Sequence, residues 1–70
     1  MIEVFKTNIT DMKASQEISY ELSRILPHAK INFDLDDCDK ILRIVSEEPV
    51  VSETINFLQF RGHHCEVLID

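Results

Sequence analysis

"KINFDLDDCDKILRIVS", Lys30–Ser46, is the stretch on which the fold turns. Ile31, Phe33 and Leu35 alternate with Asn32 and Asp34, the period-two pattern of a strand with one buried face. "DDCD", Asp36–Asp39, is turn chemistry, because short polar side chains bond to the backbone two residues on. "KILRIVS", Lys40–Ser46, then returns with a strong bias to β-branched residues. The stretch therefore reads as a β-hairpin, and what flanks it sets the topology.

Upstream, apolar residues recur at Ala14, Ile18, Leu22 and Ile25, with Glu17, Glu21 and Arg24 off the stripe. That is one face of a helix, with Thr10 or Asp11 available as its cap. Pro27 ends it at Leu26, since the residue before a proline disfavours the helical region. Downstream, Pro49 breaks the hairpin off and Ser52 offers a second cap. Glu53 and Thr54 follow in the first turn, with Ile55, Leu58 and either Phe57 or Arg61 on the packed side. Gly62, the chain's one glycine, falls where a helix end favours a left-handed residue. The outermost pieces, "MIEVFKT" and "HHCEVLID", read as strands. In the first, Ile2 and Val4 point to one side and Phe5 to the other, which leaves its inward face open. In the last, Cys65, Val67 and Ile69 share a face.

The predicted order is β-α-β-β-α-β within a single domain, residues 1–70. Its commonest compact form is α+β: a ferredoxin-like βαββαβ sandwich, two helices packed on one face of a four-stranded antiparallel sheet. A chain of 70 residues has room for one core only and buries about 60% of its unfolded surface. Thirteen acidic residues against seven basic ones give a formal charge of −6, which repels phosphate backbones and anionic lipid. Neither nucleic-acid nor membrane binding is expected. Two cysteines are too few for a disulfide framework, and neither a signal-peptide pattern nor a bilayer-length apolar run occurs, so a reduced, cytoplasmic setting is expected.

The pattern resembles the heavy-metal-associated domain, the fold of small copper chaperones and of the N-terminal modules of metal-pumping ATPases. The family's loop reads Gly-Met-Thr-Cys-x-x-Cys, and Asn8, Ile9, Thr10, Asp11 and Ala14 fall at those positions here. Ile18, Leu22 and Ile25 match its first helix, Ile31–Val45 its central hairpin, and Val51–Val67 its last helix, glycine and strand. The resemblance implies the scaffold without the chemistry. Soft copper needs thiolates, whereas Asp11 is a hard oxygen ligand and Ala14 is none.

The first expected role is therefore a non-catalytic interaction module with no cofactor, its partner an unidentified protein or a second copy, met through a helix face or through an exposed sheet edge that pairs with that copy. Lys30, Asn32 and Asp34 partly counter such pairing by making the strand polar, with a charge at each end. The alternative is a divalent metal site. Loops at one end of this topology carry Asp11, the Asp36–Asp39 turn with Cys38, and His63 with His64, an oxygen, thiol and imidazole set that suits zinc, nickel or divalent copper. Adjacent histidines on an extended segment point to opposite sides, which weighs against it. No catalytic residues are expected: the chain has no acid–base pair, no glycine-rich phosphate loop, and no arginine in the loop after the first strand to hold an anion.

Overall fold

A computed structural model describes residues 1–68. Its elements are β1 (Ile2–Thr7), α1 (Met12–Ile25), β2 (Lys30–Asp34), β3 (Ile41–Val45), α2 (Val51–Phe60) and β4 (Cys65–Val67). The strands form one antiparallel sheet in the order β2-β3-β1-β4, and the architecture is the α+β ferredoxin-like sandwich. The expected inward position Ile69 lies outside the described residues.

Register settles the face that the sequence left open. Phe5 pairs with Leu42 of β3 and Val67 of β4, and all three pack on the core side. Phe5, Leu42 and Ile44 are fully buried there against Ile18 and Leu22 of α1 and Leu58 of α2. Ile2 and Val4 consequently face away from the helices. Leu35 lies just past the end of β2, in the turn, yet still packs on the core.

Three expectations change at the helices. Ile25 is 47% exposed, and Leu26 packs on the core in its place. The buried stripe drifts round the helix from Ile18 through Leu22 to Leu26, because four residues slightly exceed one turn. Ser52 does not cap α2. The helix begins at Val51 behind Val50, which is 2% exposed and makes no side-chain cap bond, so burial of Val50 rather than cap chemistry sets the start. Of the two candidates further along α2, Phe57 packs on the core while Arg61 is exposed and bonds Glu21 of α1. That carboxylate raises the guanidinium's pKa, first by its hydrogen bond and then by its charge. Thr54, expected only as a first-turn residue, is fully buried.

Gly62 takes the left-handed conformation, φ +84°, beyond α2. Its N–H bonds Gln59 O at 2.9 Å and that of His63 bonds Leu58 O at 2.9 Å, the paired closure of a Schellman motif.

Candidate functional site

The loop end of the sheet gathers the segments the topology predicts, and several polar groups there have a structural task. Asp11 caps α1, its carboxylate accepting the Lys13 N–H at 3.2 Å. An aspartate at this position satisfies one of the helix's orphan donors. Ala14 packs on the core one turn later. Both residues that stand where the resembling family keeps cysteines are thus accounted for by helix initiation and packing.

Thr7, at the end of β1, ties down the hairpin loop. Its N–H donates to Asp39 O at 3.2 Å and its hydroxyl to Lys40 O at 2.6 Å. Asp37 accepts the Asp39 N–H at 2.8 Å, the side-chain-to-backbone bond of an Asx turn. Lys40 sits at φ +49°, an unusual conformation for a residue with a Cβ, and its ammonium reaches back to Leu35 O at 2.8 Å. Asn8 accepts the His64 N–H at 2.9 Å and so joins the loop before β4 to the loop after β1.

Among the described residues, Asp37, Cys38 and Asp39 form the one group of three whose ligand atoms lie within 4.8 Å of one another. Asp11, His63 and His64 do not join Cys38 in such a group. Asp39 is drawn toward Lys6, 3.7 Å away, and His64 toward Glu66, also 3.7 Å away. Cys38 is exposed. Cys65 is 3% exposed in the core, and burial, with a smaller contribution from the charge of Glu66, pushes its thiol up to about 11. It stays protonated at neutral pH and is a poor nucleophile. His64 is exposed beside it in sequence, so the two do not form a buried nucleophile and base.

The sheet face opposite the helices is the surface that sequence reading did not single out. Alternation places Lys30, Asn32 and Asp34 of β2 there, and pairing aligns them with Val45, Arg43 and Ile41 of β3. The same β3 residues align with Ile2, Val4 and Lys6 of β1. Ile2 is 65% exposed and Val45, its direct partner, 40%. Of the chain's 7 Lys and Arg, three (Lys6, Lys30, Arg43) stand on this face. Of its 13 Asp and Glu, Asp34 and Glu66 are the two on the described strands that do so. An apolar, net-positive face therefore occurs on a chain of formal charge −6. The signal was in the sequence as "IEV" and "RIV", but its meaning depends on which side of β1 the helices cover.

Among known proteins, no family model matches the chain, and neither a curated protein nor a solved structure does. Among the described residues, no helix is long and apolar enough to cross a membrane.

Proposed function

We propose that the chain is a non-catalytic interaction module, similar to a heavy-metal-associated domain without its thiolate site, that binds a protein partner through the open face of its sheet. The observation that carries this reading is the exposed Ile2–Val45 pair set beside Lys6, Lys30 and Arg43 in an otherwise acidic protein. Exposed apolar surface with a polar and charged rim marks contact sites, and three cations against Asp34 and Glu66 leave this rim slightly positive. The complementary partner surface combines apolar side chains with carboxylates. A nucleic acid fits less well, because the described strands present no aromatic on this face for a base to stack on. The likeness to the heavy-metal-associated domain is supported by the shared element order and by the loop spacing. Loss of its metal chemistry is supported by the capping role of Asp11 and the packing of Ala14.

The test is capture from cell extract on the immobilised chain, comparing wild type with Ile2→Glu, Arg43→Glu and, on the outer side of α1, Tyr20→Glu. All three positions are exposed, so the variants keep the fold. A partner retained by wild type and by Tyr20→Glu, and lost with Ile2→Glu and Arg43→Glu, is the expected result. A partner retained equally by all four proteins, or lost only with Tyr20→Glu, contradicts the proposal.

A further inference from the structure

β2 is the outer strand of the sheet. One side of it is paired with β3 from Lys30 to Asp34, and among the described residues no strand covers the other. Such an edge presents a row of unpaired backbone donors and acceptors, which proteins usually protect with charge. Here the strand reads Lys-Ile-Asn-Phe-Asp, and the order of those five residues matters more than their presence. We propose that this edge pairs antiparallel with the same edge of a second copy of the chain, about a two-fold axis at Asn32, joining two four-stranded sheets into one of eight.

Reversing Lys30–Asp34 about its centre sets Lys30 opposite Asp34 of the second copy, Ile31 opposite Phe33, and Asn32 opposite Asn32. The pleat makes these matches facial as well as sequential. Lys30, Asn32 and Asp34 lie on the exposed face, while Ile31 and Phe33 lie half-buried on the helix side. Opposite charges directly across an antiparallel ladder stabilise it, and like charges destabilise it. A side-chain amide carries both donor and acceptor, so Asn32 can bond to its own copy across the axis. Sliding the register by two residues leaves Lys30 or Asp34 without its opposite inside the strand. A slip of one residue sets charged side chains against apolar ones. The charges that deter indiscriminate pairing of this edge therefore specify a single register, as an isologous two-fold contact requires.

The layer above the strand is compatible with this approach. α1 packs over β2, and α2 over β4. The Arg61 contact draws Glu21 toward α2. With about 100° between successive residues, the flank of α1 away from Glu17 and Glu21 carries Ser19 and Ser23 in its C-terminal half, preceded by the uncharged Met12 and Gln16. Ser23 satisfies its hydroxyl on Tyr20 O of its own helix at 2.6 Å. Small side chains without charge are what a neighbouring helix can approach. This proposal does not rest on the open-face reading, since it concerns the strand's edge.

Sedimentation of the full chain tests it. Wild type is expected at twice 8.1 kDa. Lys30→Asp brings two carboxylates together at each end of the junction, and Asp34→Lys brings two ammonium groups together. By symmetry each substitution acts twice, so each variant alone weakens association roughly ten-fold or more. An equimolar mixture of the two variants restores the dimer, because every new charge then meets its opposite. Both positions are exposed, so the fold is expected to persist, which circular dichroism of each variant checks. A wild-type chain that stays monomeric overturns the proposal, as do single variants that dimerise like wild type or a mixture that does not reassociate.

Discussion

Replacing Phe5 with alanine leaves most of the protein unfolded at 25 °C, read as loss of far-ultraviolet circular dichroism and collapse of amide chemical-shift dispersion. Phe5 is fully buried at the centre of the sheet, between Leu42 and Val67 on the neighbouring strands. Removing a buried phenylalanine costs about 3–5 kcal/mol, the lost transfer energy plus the cavity left behind. A single core in a chain of this size rarely supplies more than about 3–5 kcal/mol in total. The two magnitudes meet, and the folded state loses its margin. Ile2→Ala, on the same strand but 65% exposed on the other face, shifts stability by about 0.5 kcal/mol or less. A folded Phe5→Ala protein, or equal damage from the two substitutions, would mean that β1 presents its other face to the helices.

Thr54→Val acts in the opposite direction. Thr54 is fully buried in α2, and its hydroxyl meets no hydrogen-bonding partner among the described residues, while its backbone N–H is already bonded to Val50 O at 3.0 Å. Valine keeps the shape and has similar helix propensity. Relieving an unsatisfied buried hydroxyl is worth about 1–2 kcal/mol. For a domain of this size each kcal/mol moves Tm by roughly 4–8 °C, so the melting point rises by about 4–16 °C. A melting point that falls would show that the hydroxyl has a partner, such as a buried water, and that α2 needs it.

Local pattern carried much of this structure, and pairing carried the rest. The hairpin, both helices and their stops at Pro27 and Gly62 follow from periodicity and backbone restriction, which act within a few residues. The inward side of β1 does not, because Ile2, Val4 and Phe5 are all apolar and only alignment with Leu42 and Val67 decides among them. Ser52 misled for the same reason: cap chemistry is local, whereas burial of Val50 depends on the assembled core. At the loop end, the sequence placed Asp11, Cys38, His63 and His64 near one edge through topology alone. Ligand geometry needs ångström-scale placement, and a three-residue group forms only within Asp37–Asp39. The open face was hidden because its apolar residues read equally well as core until the sheet order is known.

The proposed role is surface contact, on a scaffold whose loop end is held together by caps and turns. The most direct test is a proton–nitrogen NMR titration of the reduced protein with zinc and with monovalent copper. The predicted result is weak shifts at Asp37–Asp39 that do not saturate at one equivalent, with the amides of Asp11, His63 and His64 unmoved. Saturation at one equivalent across all three loops would contradict the claim and make the loop end a metal site.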